Sequence, residues 1–276
     1  MWSDHRDAAP FLPQAPSLPE KELVLQVRDR ISDLFLSNEY LEDKNLVRFI
    51  RARSGSINQA EQMIRKNVEW MAQEKIDELL RWKYPPNLED YFPWWVCGFD
   101  EFGGPIVVIQ TGLWEPAHVS GMKTDLVRYL LLIIEKCRRV LYARSTNRDY
   151  IPQFSVIIDC LGLGWKHYLS YDGIQAAILA LRYFEANYPD SLRLGAAVNC
   201  PSVLNMMWKM VKPFVSPATR SKLRFLYEDD RLVWRETLTR YFPEDRFPAK
   251  YGGTLPDSYK VRMEFKGHNA GDENGN

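Results

Sequence analysis

Two residues near the end of the apolar stretch Phe154–Asp159 could exchange protons with a substrate. Asp159 ends that stretch, and His167 follows a short way further on. Carboxylates and imidazoles are common general acids and bases, so the residues allow an α/β hydrolase or an oxidoreductase that uses Asp159 and His167. They equally allow structural roles, because an aspartate at a strand end commonly caps the next turn and a histidine can serve as a hydrogen-bonding group.

The sequence lacks the usual catalytic signatures around these residues. It contains no GxSxG elbow, no GxxxxGK[ST] phosphate loop and no HExxH zinc motif. Gly162 and Gly164 begin a pattern like that of dinucleotide-binding loops, but His167 stands where the third glycine would let a helix approach the phosphates. These absences weaken the enzyme hypotheses without removing them, and no residue spacing indicates a metal or a cofactor, so we expect neither.

The cysteines give no sign of a metal site or of a disulfide framework. They are widely spaced, lie in apolar surroundings and form no CxxC pair, which is typical of buried thiols in a reducing compartment. The four are Cys97, Cys137, Cys160 and Cys200.

The composition is that of a globular protein of one large or two smaller domains. The chain has 276 residues, of which 46% are hydrophobic, and its 36 basic residues balance its 36 acidic ones. A balanced charge gives no field that would favour nucleic acid. No apolar run approaches the ~20 residues that span a bilayer, and the N-terminus does not resemble a secretory signal. We expect a cytoplasmic monomer without a nucleic-acid partner.

Four regions follow one another along the chain. Residues 1–19 are proline-rich and predict a disordered arm, and residues 20–84 predict a small helical subdomain. Residues 85–256 alternate strand and helix patterns, beginning with a hairpin across Glu101–Gly104, which predicts an α/β fold with a mixed, largely parallel sheet. Residues 257–276 form a polar tail, most of which we expect to be disordered.

The segment Ser202–Val215 is apolar on two helical faces. One stripe contains Val203, Met207, Met210 and Phe214, and a second contains Leu204, Trp208, Val211 and Val215. A surface helix normally carries a single apolar stripe. The second stripe must therefore meet more protein, an apolar ligand or a membrane, and the pattern alone leaves a fully buried helix and a lid over an apolar cavity both open.

Several motifs together resemble the CRAL-TRIO lipid-binding family, from about Leu41 to Gly253. The similar stretches are LVRFIRARS at 46–54, FEANYP at 184–189, KPF at 212–214 and YGG at 251–253. The stretch DCLGLG at 159–164, with Lys166 and His167, looks most like the animal branch that contains supernatant protein factor, also called tocopherol-associated protein. That branch usually continues into a GOLD domain, for which this sequence ends too early.

The resemblance implies a non-enzymatic carrier whose sheet floors an apolar cavity closed by a gate helix. It favours the lid interpretation of Ser202–Val215, with membrane-facing residues Leu204, Trp208 and Val211. The expected cavity residues are Val108, Phe154, Val156, Ile158, Ala196, Val198, Val203, Met207, Met210 and Phe214. The choice among sheet residues is open, because strands of α/β sheets are apolar on both faces.

The resemblance also implies where a phospholipid headgroup would bind. Arg53, Thr219 and Lys222 match that pattern, whereas Ser54 replaces a lysine and Asp190 replaces a glutamate. These losses favour a tocopherol, carotenoid, retinoid or other isoprenoid-like ligand, exchanged during transient contact with a membrane surface. A phosphatidylinositol or phospholipid transfer protein remains the alternative, and a scaffold with a collapsed cavity is a further one.

Overall fold

A computed structural model of the chain describes residues 12–145, 150–227 and 231–261. Most of the expected N-terminal arm and most of the expected tail lie outside these ranges. The α-helices among the described residues are α1 (Leu18–Arg30), α2 (Asp43–Ala52), α3 (Ile57–Gln73), α4 (Ile76–Leu79), α5 (Asn87–Tyr91), α6 (Pro116–Ser145), α7 (Trp165–Tyr168), α8 (Tyr171–Asn187), α9 (Leu204–Val211), α10 (Pro217–Ser221) and α11 (Arg231–Thr239).

A five-stranded sheet forms the centre of the molecule, with its strands in chain order from one edge to the other. The first two strands form the antiparallel hairpin that the sequence predicts, and every later neighbour is parallel. The mixed, largely parallel α/β sheet is thereby confirmed. The strands are β1 (Trp94–Phe99), β2 (Pro105–Ile109), β3 (Phe154–Asp159), β4 (Leu192–Cys200) and β5 (Leu223–Tyr227).

The helices α1 to α3 pack around their own core, which includes Val27, Leu46 and Ile64. Ser17 begins α1 with a capping box, in which its hydroxyl accepts from the Glu20 amide and the Glu20 carboxylate accepts from the Ser17 amide. Residues 12–17 have no regular secondary structure and lead directly into this helix. Two contacts hold them: the Ile151 amide donates to the Gln14 carbonyl, and Arg51 donates to the Ala15 carbonyl.

The two faces of the sheet are covered by different parts of the chain. α6 and α8 cover one face, where Val107 and Leu192 are buried. α11 and the C-terminal return to Tyr251 cover the other face, where Val108 and Ala196 are buried. No helix in the described ranges is long and apolar enough to cross a membrane.

The two-faced segment is shorter as a helix than its pattern predicts. The α-helix α9 ends at Val211, and a 3-10 turn follows over Lys212–Phe214. Pro213 explains the change, because proline has no amide hydrogen to donate within the helix. The long helix α6 begins at Pro116 and kinks at Met122, whose φ of −132° is not helical.

Candidate functional site

The middle strand carries half-exposed apolar side chains at the place where a sheet is normally most deeply buried. On β3, Val156 and Ile158 are partly accessible while their neighbours Ser155 and Ile157 are buried. Both point to the face covered by α6, α8 and α9. On the edge strand β5, Leu223 and Phe225 are also half-buried on that face. We call these four residues the open floor.

The gate segment, α9 with its 3-10 turn, lies at one end of the open floor. α9 contacts α8 and α7. Its residues Leu204 and Met207 pack with Ile158 and Phe225 around the strand ends. Behind α9, the Arg182 guanidinium of α8 lies 4.9 Å from the centre of the Phe214 ring. The segment is thus held by apolar contacts at its front and by a cation–π contact at its rear.

Three of the expected cavity residues lie on the wrong face of the sheet. Val108, Ala196 and Val198 are completely buried with Trp234 and Leu238 of α11, on the far side from the gate segment. The expected floor was therefore wrong for β2 and β4. β2 is apolar on both faces and β4 is buried along almost its whole length, so the sequence contains no signal for which face meets the gate segment.

Phe154 is on the expected side but is part of packed core. Its ring lies 6.2 Å from that of Phe184, and it borders a crevice of about 70 Å³ between α2, α6 and the loop after α8. Val156 and Ile158 are the expected sheet residues that belong to the open floor. Position along the strand separates them from Phe154, because β3 begins under α8 and ends near α9.

Two residues of α9 point in the direction opposite to the one predicted for them. Trp208, expected to face a membrane, is buried, and its ring lies 5.1 Å from that of Phe225. Met210, expected to face the cavity, is 43% exposed, as is its neighbour Met206 at 38%. Val203 is buried. Leu204, Met207, Val211 and Phe214 are half-buried.

The expected headgroup residues have partners within the chain. Lys222, which is buried, donates to the Asp190 carboxylate at 2.7 Å, and Gln153 donates to the same oxygen at 2.7 Å. Thr219 hydrogen-bonds Ser216 at the start of α10. Arg53 donates to the Ala52 carbonyl.

The arginine that approaches Asp190 is Arg51, at 3.7 Å. It is also held by the Glu20 carboxylate of α1, with contacts of 2.7 and 3.0 Å. This guanidinium lowers the pKa of Glu20 to about 2, since it hydrogen-bonds the ionised form. Arg48 donates to the Asp190 carbonyl and to Ser191. Arg51 and Lys222 are thus paired with acidic residues of the chain itself.

Asp159 and His167, the enzyme candidates, each have a full set of structural partners. The Asp159 carboxylate accepts from the Leu161 amide, from Asn199 and from the Tyr251 hydroxyl. Burial, with the carboxylate beside it, raises the pKa of Tyr251, so this phenol stays protonated and donates. The imidazole of His167 accepts from the Gly164 amide at Nδ1, and its Nε2 lies 2.7 Å from the Trp114 carbonyl.

Large apolar side chains are concentrated on the surface beside the gate segment. Trp165 is 60% exposed and Leu169 is 73% exposed, in and just after α7. The turn before α6 reaches the same place: a side chain at Gly112 would lie 1.9 Å from the Leu161 carbonyl, so the two backbones touch there. We call this surface the apolar rim; its exposed residues are Leu113, Leu161, Trp165, Leu169, Tyr171, Met206 and Met210.

Sequence reasoning missed both the apolar rim and the Glu20–Arg51 contact. The rim carries a local signal in the run WKHYLSY at 165–171, where four large apolar or aromatic residues lie among three polar ones. The Glu20–Arg51 pair joins residues far apart in the chain and has no local signal. In the described part of the chain, no group of three or more His, Cys, Asp and Glu residues is placed to hold a metal ion.

Comparison with known proteins identifies the fold and the family. The solved structure of Sfh5 superposes with a TM-score of 0.70 at 16% identity, over 90% of this chain and 93% of that one. Protein real-time is 28% identical over 89% of this chain both in Aedes aegypti and in Anopheles gambiae. A CRAL-TRIO domain-containing protein of Caenorhabditis elegans is 29% identical over 77% of this chain.

The chain spans 38%, 36% and 30% of the lengths of these three relatives, respectively. The family description that matches is "CRAL/TRIO domain", over residues 89–253. That range contains the sheet, the open floor, the gate segment and the apolar rim. The match to this family supports lipid binding in general. The protein belongs to the CRAL/TRIO domain family.

Proposed function

We propose that this protein binds one uncharged hydrophobic lipid, of the tocopherol, carotenoid, retinoid or isoprenoid-like class, and transfers it between membranes without chemical change. The observation that carries the proposal is the open floor. Val156 and Ile158 lie in the central strand and are covered by helices, yet they remain partly accessible. Partial access at such a position requires free space between the sheet and its cover.

Free space lined by apolar groups is costly unless a ligand fills it. Burying a side chain such as valine or isoleucine contributes roughly 1.5–3 kcal/mol, and a half-exposed one forgoes part of that. Apolar clefts with few polar groups are the usual form of a lipid or small-ligand site. The gate segment, which closes one end of this space through Leu204 and Met207, is the element that would move to admit the ligand.

The charge balance beside α2 favours an uncharged ligand over phosphatidylinositol. A phosphate would have to displace Asp190 from Lys222 and Glu20 from Arg51. In each pair the nitrogen of the cation lies 2.7 Å from a carboxylate oxygen. Lys222 is also 7% exposed, so it offers little surface to an incoming anion. Displacing either half-buried carboxylate leaves a charge to be solvated or paired elsewhere, which is unfavourable.

The apolar rim is suited to transient contact with a bilayer. Trp and Tyr favour the membrane interface, where an apolar ring and a polar group can both be accommodated. The rim contains Trp165 and Tyr171, and it lies beside α9, which exposes Met206 and Met210. The segment 204–214 also carries Lys209 and Lys212 and no acidic residue, a charge that favours the surface of anionic lipids.

The ligand can be identified by extracting the purified protein with organic solvent and analysing the extract by mass spectrometry. We expect one uncharged lipid in stoichiometric amount. In parallel, retinol supplied from phosphatidylcholine vesicles should bind the wild type and should bind more weakly to Val156→Trp, because the larger side chain fills the space over the floor. Urea unfolding of the variant controls for misfolding.

Two results would contradict the proposal. One is displacement of retinol by phosphatidylinositol at tenfold lower concentration than by any isoprenoid lipid. The other is an extract without lipid together with unchanged retinol binding in Val156→Trp, which would leave the open floor without a ligand.

A further inference from the structure

We infer that Cys160 and Cys200 form a dithiol that peroxide converts to a disulfide, and that this disulfide fixes the base of the gate segment. The two cysteines end neighbouring parallel strands. Asp159 on β3 stands opposite Val198 on β4, and the Cys160 amide donates to the Val198 carbonyl at 3.0 Å. Cys160 therefore follows its strand by one residue, and Cys200 follows Val198 by two.

The strand geometry brings the two residues within disulfide distance. Neighbouring strands lie about 4.8 Å apart and one residue of offset adds about 3.3 Å, which gives a Cα separation of about 6 Å. Disulfides span Cα distances of about 4.4–6.8 Å. Cys160 and Cys200 thus meet the distance requirement through the register of the sheet.

The backbone at Asn199 turns both thiols to the same side of the sheet. In a regular strand Cys200 would point with Val198 to the face covered by α11. Asn199 has a φ of +53°, a left-handed conformation that interrupts this alternation. As a result both cysteines are buried in one small cluster with Leu163 and Ala197, under the gate residues Leu204 and Met207.

The chemistry of the pair differs from that of the other two cysteines. The Cys200 side chain hydrogen-bonds that of Cys160 and lowers the pKa of Cys160, whereas burial raises the pKa of Cys97 and of Cys137 to about 12. The thiolate is the reactive form of cysteine. Cys160 is therefore favoured over Cys97 and Cys137 as a nucleophile.

Hydrogen peroxide is the oxidant in this reaction. The Cys160 thiolate attacks one peroxide oxygen, the O–O bond breaks, and the departing hydroxide takes a proton to form water, which leaves a sulfenic acid. The Cys200 sulfur then attacks the Cys160 sulfur, the S–O bond breaks, and the departing hydroxide takes the Cys200 proton as a second water. The two thiols lose two electrons in total, and the peroxide gains them.

The position of the disulfide determines its effect on the gate segment. Cys200 is followed by Pro201 and then by α9, so it is the last strand residue before the segment moves away from the sheet. A covalent link from Cys200 to the end of β3 would tie the base of α9 to the β3–α7 loop. We expect the oxidised protein to open its gate segment less often than the reduced protein.

The test treats the full chain with hydrogen peroxide and maps disulfides by peptide mass spectrometry. We expect a Cys160–Cys200 link that forms in wild type and in Cys97→Ala, and that is absent in Cys160→Ser and Cys200→Ser. Hydrogen exchange of the amides of residues 202–211 should slow about tenfold on oxidation, an effect of constraining a chain segment. Dithiothreitol should reverse both changes.

Absence of the Cys160–Cys200 peptide in oxidised wild type would overturn the inference, as would a link that leaves hydrogen exchange of residues 202–211 unchanged. These two readouts do not depend on a bound lipid. A third, transfer of retinol to phosphatidylcholine vesicles, rests on the proposed function. A disulfide with slowed exchange but no retinol binding would contradict the retinol-carrier proposal and leave the redox site standing.

Discussion

The indole of Trp208 lies against the ring of Phe225, with centroids 5.1 Å apart and planes inclined by 58°. The contact joins the gate helix α9 to the edge strand β5, so the largest side chain of α9 faces inward. We therefore expect Trp208→Ala to lower the free energy of unfolding by about 3 kcal/mol, the low end of the range for emptying a buried aromatic site. Urea unfolding measures this change.

The matched control is Met210→Ala on the same helix, where the side chain is exposed and a change within about 0.5 kcal/mol is expected. Equal losses in the two variants would mean that α9 is packed on both sides, and the segment would then not act as a lid.

The apolar rim provides a prediction about membrane association. The double variant Trp165→Ser with Leu169→Ser removes two exposed side chains and should weaken sedimentation with phosphatidylcholine vesicles about tenfold, a loss of about 1.4 kcal/mol. Leu232→Ser is the control, because Leu232 is 72% exposed but lies on α11, at the opposite face of the sheet. A loss of binding in the control as large as in the double variant would show that the rim has no special role.

The Lys222–Asp190 pair provides a prediction about stability. Lys222→Met leaves the Asp190 carboxylate with Gln153 and Arg51, and should cost about 1–3 kcal/mol of unfolding free energy. Asp190→Asn leaves the ammonium buried and should cost at least as much. A double-mutant cycle should give a coupling energy above about 1 kcal/mol, as expected for residues in direct contact. Additive losses would indicate that the two charges do not interact in solution.

The Glu20–Arg51 contact should make stability depend on pH. Arg51 lowers the pKa of Glu20 to about 2 in the folded chain, whereas an unfolded glutamate titrates near 4.3. The contribution of Glu20 is therefore fully present above the unfolded pKa and is lost as the pH falls through the folded pKa. The difference in unfolding free energy between wild type and Glu20→Gln should thus shrink from pH 5 towards about 2.

Chemical denaturation at a series of pH values provides this measurement. Exposed Glu236 supplies the comparison through Glu236→Gln, whose effect on stability should stay small throughout. A difference between wild type and Glu20→Gln that grows as the pH falls would contradict the contact.

The sequence by itself determined the secondary structure and the family. The apolar stretch Phe154–Asp159 is the strand β3, and the hairpin strands β1 and β2 flank Glu101–Gly104 as predicted, because apolar runs and turn residues are local properties of the chain. The family motifs at 46–54 and 184–189 are likewise contiguous stretches. The break in the two-faced segment was equally local, since Pro213 is visible in the sequence.

Only the tertiary structure decided which faces point inward. β2 is apolar on both sides, and α9 carries two apolar stripes, so periodicity could not assign Val108 to the α11 face or Trp208 to Phe225. The pairing of Glu20 with Arg51 and the approach of Cys160 to Cys200 join residues that are distant in sequence. Such contacts depend on strand order, register and the left-handed turn at Asn199, which exist only once the chain is folded.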